Sequence, residues 1–471
     1  MQYDNPFWSS EITDALTGSS ANLSTTTVDA ISQILNLDTV ESVVVGSWDG
    51  SGDVVVPTGK TAQAIFADVA GAAGTDVDVN LHADGLAAAK AFVFASDANL
   101  TLDFTAPEAS AFVRAAVTTT TDNVDRVIVS GNGNDTITVG NGNTTIDAGA
   151  GNDTVHTGSG NDLIIANSGN NDISTGAGND TIIAGTGNDT IDAGDGFDTV
   201  QVAASRADFT ATVSGDDVVL TAAGQTITTA NAEFISFNNG DSIAVAANDQ
   251  EAAALRLYEG LLGRDADAAG AQHWTAEADA GTSLTDIANA FLSSGEFSNN
   301  ANDAFVESLY TNLLGREADT AGEAKWLADL ANGASRTDVI NSIAGSAEGQ
   351  AASASSANAD YVEALYSSVL GRTADATGLQ SWVAQLEAGA DRATIADGIA
   401  GSAEASAKAT SDFLDNLYES ALGRDVDALG KAAWTSALEH GATQAEVAIA
   451  VVGSDEGVAH NTSVVVVHGV A

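Results

Sequence analysis

From Ser130 to Gln201 the chain runs through eight consecutive nine-residue units without an insertion: SGNGNDTIT, VGNGNTTID, AGAGNDTVH, TGSGNDLII, ANSGNNDIS, TGAGNDTII, AGTGNDTID and AGDGFDTVQ. Carboxylates repeated at a fixed interval among glycines can do one of two things. They can form a solubilising coat in salty water, or they can act as hard oxygen ligands for divalent cations. The whole chain leans the same way, with 65 Asp and Glu against 15 Lys and Arg and a formal net charge of -50 over 471 residues. Phosphate recognition needs clustered cations, so a nucleic-acid partner is excluded by composition.

These units must be positioned by something, and their own eighth residues suggest what. Ile137, Ile146, Val155, Ile164, Ile173, Ile182, Ile191 and Val200 offer one β-branched side chain per unit to a common interior. A flexible Gly/Asn linker needs neither a fixed period nor an isoleucine at every ninth place. Each unit reads as about six residues of turn and three of strand, two units to a coil, the strands stacking into two parallel sheets about 4.8 Å apart. One unit buries almost nothing alone, so stacking must do the burying. The fourth position is always glycine, as expected where the backbone takes a conformation barred to other residues.

The units resemble the RTX nonapeptide of secreted bacterial proteins, G-G-x-G-x-D-x-apolar-x, across all 72 residues. The resemblance implies a calcium-loaded parallel β-roll in which aspartate carboxylates and turn carbonyls hold Ca²⁺. Carried over, the ligand aspartates are Asp135, Asp153 and Asp189 on one edge and Asp162, Asp180 and Asp198 on the other. The turn donors are Gly131, Gly133, Gly149, Gly151, Gly158, Gly160, Gly176, Gly178, Gly185 and Gly187. Two units depart from the pattern, with Thr144 and Asn171 in the aspartate slot, and Asn171 stays in the candidate ligand set. The family's first glycine is replaced throughout by Ser, Ala, Thr or Val. Three inter-coil gaps on each edge give about six Ca²⁺ at most.

The expected fold is multidomain. Residues 1–125 carry short apolar runs (VESVVVG, DVVVP, VDVNL, AFVFA, LTLDF) between turn-forming residues and are expected to form an N-terminal all-β domain. The parallel β-roll covers 126–201, and residues 202–248 are expected to close it with antiparallel strands, since an open edge invites aggregation.

From 249 to 460 the pattern becomes helical and repeats four times (about 249–300, 301–352, 357–408 and 409–460) around LYEGLLGRDADAAGAQHW, LYTNLLGREADTAGEAKW, LYSSVLGRTADATGLQSW and LYESALGRDVDALGKAAW. Gly263, Gly315, Gly371 and Gly423 suit left-handed C-caps, and Asp267, Asp319, Asp375 and Asp427 suit the N-caps that follow. A second glycine and a Ser-x-Glu in each copy give about three helices per repeat, an all-α tandem array. The repeat looks like the phycobilisome-linker-like domain of unknown function found in tandem in RTX and surface-layer proteins, a family that carries no established chemistry.

Arg264, Arg316, Arg372 and Arg424 recur at one place in the repeat. They could anchor an acidic glycan or lipopolysaccharide phosphate, but an aspartate pair or a tryptophan stack within each repeat is the expectation. DADAAG and DVDALG copy half of an EF-hand loop, yet Ala276 and Ser436 occupy the place of its bidentate glutamate. No two of the six histidines are spaced as zinc ligands on one element, and no cysteine is present, which removes disulfides, thiolate metal sites and cysteine nucleophiles.

The N-terminus lacks a basic region followed by an apolar run, and no apolar segment approaches a membrane span. The aliphatic tail 461–471, NTSVVVVHGVA, is either an edge strand or the uncleaved signal that the RTX resemblance implies for type I secretion. Together these readings point to a secreted or cell-surface, self-associating, calcium-binding protein, non-enzymatic and structural or adhesive in surface layer, adhesin or matrix. The rival is a secreted hydrolase with its active site in residues 1–125, although no GxSxG, HExxH or phosphate loop occurs in the chain.

Overall fold

The computed structural model describes residues 7–17, 23–48, 54–69, 71–79, 81, 89–105, 124–354 and 358–467. They form two compact units. One holds the chain up to Asp249 with Asp267–Gln272 and the C-terminal strand, and the other holds the remaining helices.

From Ala64–Asp68 to Thr199–Val202 the chain alternates between two sheets, and each strand pairs in parallel with the next strand but one. Within the nonapeptide tract the register is eighteen residues, as in Ile146 with Ile164 and Ile164 with Ile182. The strands are three to five residues long, for example Thr136–Thr138, Thr154–His156 and Leu163–Ile165. The eight β-branched residues at the eighth position are all at most 1% exposed and form one column of core between the sheets.

The coil does not stop where the nonapeptides stop. Upstream strands Val45–Trp48, Ala64–Asp68, Ala91–Ala95 and Arg126–Val129 continue the first sheet, while Asp76–Asp78 and Asn99–Asp103 continue the second. Ile65, Phe92, Leu100, Leu102 and Ile128 extend the same core. The first 125 residues are therefore β-rich but not the separate all-β domain expected from sequence: Phe7–Trp8 and Ser42–Val43 form a small antiparallel pair of their own, and the described strands from Val45 on belong to the nonapeptide sheets. The same region also contributes two helices, Ser9–Thr17 and Thr25–Ile34. Strand alternation explains where those helices sit. Ile128 faces the inter-sheet core, whereas Val127 and Val129 point the other way and pack with Ile12, Leu16, Ile31 and Leu35. Among the described residues of the run DVVVP, Val55 makes an isolated antiparallel bridge to Ser47.

Beside the last nonapeptide strands, Gln225–Ala230 and Phe234–Phe237 continue the two parallel stacks, and antiparallel strands lie outside them. Thr210–Ser214, Asp217–Ala222 and Gln225–Ala230 form an antiparallel meander, and Ser242–Ala246 pairs antiparallel with Phe234–Phe237. The tail joins this sheet: Val464–Val466 pairs in parallel with Ser242–Ala246, and residues 468–471 lie outside the described residues.

In the helical unit the four glycines after Leu take left-handed φ of 64 to 72° and end a helix, with a π-helical last turn in the first three repeats. Asp319, Asp375 and Asp427 cap the next helix by accepting N–H bonds from Gly322, Gly378 and Gly430, and Asp267 accepts one from Gly270. Repeats two and three meet through equivalent positions: Asn312 Nδ2 donates to Ser368 Oγ at 2.9 Å, an offset of 56 residues that also separates Trp326 from Trp382. Repeats one and four pair likewise through Leu284–Leu292 and Gln444–Val452. No helix among the described residues is long and apolar enough to cross a membrane.

Candidate metal centre

Backbone proximity builds the turns. Gly151 sits at φ +142°, and a Cβ there would lie 1.9 Å from Gly133 O of the preceding coil. Gly149 at φ +82° would place a Cβ 1.5 Å from Gly131 O. Only glycine allows turns to stack this closely. The candidate turn donors then divide into two kinds. Carbonyls of Gly131, Gly149, Gly158 and Gly176 already accept a main-chain N–H from the next coil. Those of Gly133, Gly151, Gly160, Gly178 and Gly187 accept none among the described residues. Gly185 O takes the Gln225 side-chain amide at 3.0 Å.

The aspartates form two vertical columns. In one, the N–H groups of Leu100, Asp135, Asp153 and Asn171 donate to side-chain oxygens of Asp135, Asp153, Asn171 and Asp189 in turn, at 2.6 to 3.0 Å. In the other, Thr144, Asp162 and Asp180 donate to Oδ1 of Asp162, Asp180 and Asp198, each at 2.7 Å. Every one of these six aspartates is at most 2% exposed, and the second oxygen of each is buried with no hydrogen-bond partner among the described residues. An unpaired buried carboxylate oxygen costs more than the ~1–3 kcal/mol of a neutral group left unsatisfied.

Asp147 shows that this is not simply how the coil treats buried acids. It too is buried, but Thr27 Oγ1 and Asn167 Nδ2 each donate to one of its oxygens at 2.5 Å.

Burial governs the charge state. It pushes Asp153, Asp162 and Asp198 up to about 7 and Asp189 up to about 6, and it also raises Asp135 and Asp180, against the lowering effect of their hydrogen bonds. A cation would relieve the same penalty. The donor chemistry fits calcium: hard carboxylate oxygens beside turn carbonyls that accept no other bond. Among the described residues no three His, Cys, Asp or Glu side chains converge on one point, so an ion in these gaps draws on main-chain oxygen as well.

The two irregular units supply their own substitute. Asn171 donates through Nδ2 to Asp189 Oδ1 at 2.9 Å and, at 3.5 Å, to Gly169 O, while Thr144 Oγ1 donates to Gly142 O at 3.3 Å. The replaced first glycines add bonds as well: Ser130, Thr157 and Thr175 hydroxyls donate to carbonyls one coil on at 2.7 to 2.9 Å.

Sequence reasoning passed over the asparagine at position five. Its side-chain oxygen accepts the N–H of the equivalent residue one coil on, forming a ladder through Asn99, Asn134, Asn152, Asn170 and Asn188 to Thr226, and a second through Asp125, Asn143, Asn161 and Asn179 to Phe197. Its recurrence in seven of the eight units was the available signal.

In the helical repeats the expected partners of the arginines are corrected. Arg264, Arg316, Arg372 and Arg424 each make a fork to a glutamate 32 residues on, namely Glu296, Glu348, Glu404 and Glu456, at 2.5 Å from Nε and 2.9 Å from Nη2. Each stacks on a tyrosine, Tyr258, Tyr310, Tyr366 or Tyr418, at 4.9 to 5.2 Å, and not on a tryptophan. The tryptophans serve those tyrosines: Trp326, Trp382 and Trp434 donate Nε1–H to the Tyr310, Tyr366 and Tyr418 hydroxyls. Aspartates such as Asp319, at 3.3 Å from Arg316, are secondary partners. Glu348, Glu404 and Glu456 are held below the usual carboxylate range by the arginine fork. A free arginine anchor for glycan or phosphate is therefore not what these four residues offer.

Comparison with known proteins gives two family matches. The RTX calcium-binding nonapeptide repeat matches residues 129–164 and 165–200, and a domain of unknown function, DUF4214, matches four times, at 248–301, 288–353, 341–409 and 407–461. No curated protein matches the chain. The stacked turns are thus RTX calcium-binding nonapeptide repeats, of the kind that marks secreted calcium-binding proteins, and the helical array is a run of DUF4214 repeats.

Proposed function

We propose that this chain is a non-enzymatic, calcium-dependent extracellular protein, a surface-layer, adhesin or matrix component exported by type I secretion, whose strand unit folds and whose copies assemble as calcium binds. The observation that carries this reading is the set of six buried aspartate oxygens left without partners in a coil that otherwise satisfies its buried acids.

Bound calcium supplies positive charge and oxygen coordination at those gaps. Asp135, Asp153 and Asp189 hold one column and Asp162, Asp180 and Asp198 the other, with the carbonyls of Gly133, Gly151, Gly160, Gly178 and Gly187 as the readiest further donors. About six ions is the count this geometry suggests. Where calcium is scarce, as inside a cell, the columns carry unpaired charge in a buried setting and the chain stays open, a state suited to threading through a channel. Outside, the columns close. The described strands between Val45 and Asp103 support a structural role over the hydrolase alternative, because they are spent on lengthening the two sheets.

The test is a calcium titration of chelator-stripped protein, followed by far-ultraviolet circular dichroism and light scattering. Sheet signal and scattering should both rise with calcium. Flat traces in both would overturn the proposal.

A further inference from the structure

The aspartate column Thr144, Asp162, Asp180, Asp198 does not end with the nonapeptides. Asp198 N–H donates to Glu233 Oε2 at 2.7 Å, just as Asp180 N–H donates to Asp198 Oδ1 at 2.7 Å. The next residue also keeps the pattern: Phe234 N–H reaches Asp198 O at 3.0 Å, as Thr199 N–H reaches Asp180 O at 2.9 Å. Val200 and Ile235 are in register, both fully buried in the core. Residues 231–236 are thus a ninth turn and strand, separated from the eighth by the Thr210–Ser214 and Asp217–Ala222 hairpin, with Glu233 in the aspartate's place.

Asp198 is fully buried, and its Oδ2 has no hydrogen-bond partner among the described residues. It faces Glu233 across the last gap as Asp180 faces Asp198 across the gap before. We propose that Asp198 and Glu233, with turn carbonyls of the eighth unit, form a further calcium site at the closing end of this column, outside the nonapeptide motif.

The other column has no counterpart. Asp189 pairs in register with Ile227, and at the far end the main-chain N–H that Asp135 Oδ1 accepts is that of Leu100, which brings no carboxylate. The extra site therefore belongs to one edge alone.

This inference rests on the calcium reading above, and the experiment separates the two. Calcium bound to the full chain is counted by equilibrium dialysis, for the wild type and for Glu233→Gln, which keeps a side-chain oxygen for the Asp198 N–H but removes the charge. The expected result is one fewer bound calcium in Glu233→Gln, with sheet signal retained in saturating calcium. An unchanged count overturns the site and leaves Glu233 as a cap only. No calcium on the wild type overturns the underlying function instead. If Glu233→Gln does not fold, Glu233→Asp decides: one calcium weakened by about tenfold supports the site, and unchanged affinities overturn it.

Discussion

The strand unit and the helical unit are both built by repetition, but they handle charge in opposite ways. In the helical repeats each of the four recurring arginines finds a glutamate 32 residues on and a tyrosine face, and each capping aspartate finds a backbone N–H. In the coil the aspartates hold each other's N–H groups through one oxygen and leave the other buried and empty-handed. A repeat that completes its own electrostatics is stable in any solvent that suits proteins. A repeat that leaves them incomplete makes its stability a function of what the solvent supplies.

The sharpest way to break that contrast is to remove calcium. With EGTA present, amide hydrogen exchange should become fast across the coil, including the upstream strands Ala64–Asp68 and Ala91–Ala95 that share its sheets, while Ala403–Leu422 and the other repeat helices remain protected. Protection in the coil that survives chelation would end the contrast.

Acid should partly replace calcium. Burial raises the folded-state pKa of Asp153, Asp162 and Asp198 to about 7 and of Asp189 to about 6, above the ordinary value of ~3.9 for an unfolded chain. Between those limits the metal-free folded coil binds more protons than the unfolded chain, so its stability falls as pH rises. The contribution is complete below about pH 4 and lost above about pH 7. Calcium-stripped protein should therefore gain sheet signal on going from pH 8 to pH 5, and 1 M NaCl at pH 8, which screens general repulsion, should not reproduce the gain. With calcium present the trend reverses, because ligand carboxylates must be deprotonated.

What could be read in advance follows the same division. The nonapeptide period was legible because the eighth residue of every unit is a β-branched core contact and each turn needs glycine. The upstream strands were legible as strands but not as part of the same sheets, since nothing between Ala64–Asp68 and Ala91–Ala95 repeats at nine. The helix pair Ser9–Thr17 and Thr25–Ile34 is short and is held by packing on Val127 and Val129, a tertiary cause that leaves little trace in local pattern. Glu233 was hidden by an inserted hairpin that stretches an eighteen-residue interval to thirty-five. The arginine forks were missed because a nearby aspartate at i+3 looked sufficient, while the glutamate that dominates lies two helices away.

Asn171→Asp sharpens the comparison inside the coil. The amide now donates to Asp189 Oδ1, so the change removes a satisfying donor and adds another unpaired carboxylate. Stripped protein should lose about 1–3 kcal/mol of coil stability, whereas calcium-saturated protein should gain, with a lower calcium midpoint. Denaturant titrations in EGTA and in calcium should therefore shift in opposite directions. A shift of the same sign in both would mean that Asn171 does not stand in for an ion.

The smallest effect is expected in the helical repeats, where Arg372→Lys keeps the charge but loses the planar fork to Glu404 and the stack on Tyr366. Both partners are about half exposed, so solvent screens the pair and most of what is lost is geometry. The helical thermal midpoint should fall slightly, by the same amount in EGTA as in calcium, and the fall should shrink in high salt for both. The calcium midpoint of the coil should not move at all. If it did, a pair that is complete within its own repeat would be setting the ion requirement of the strands, and the two ways of handling charge would not be independent.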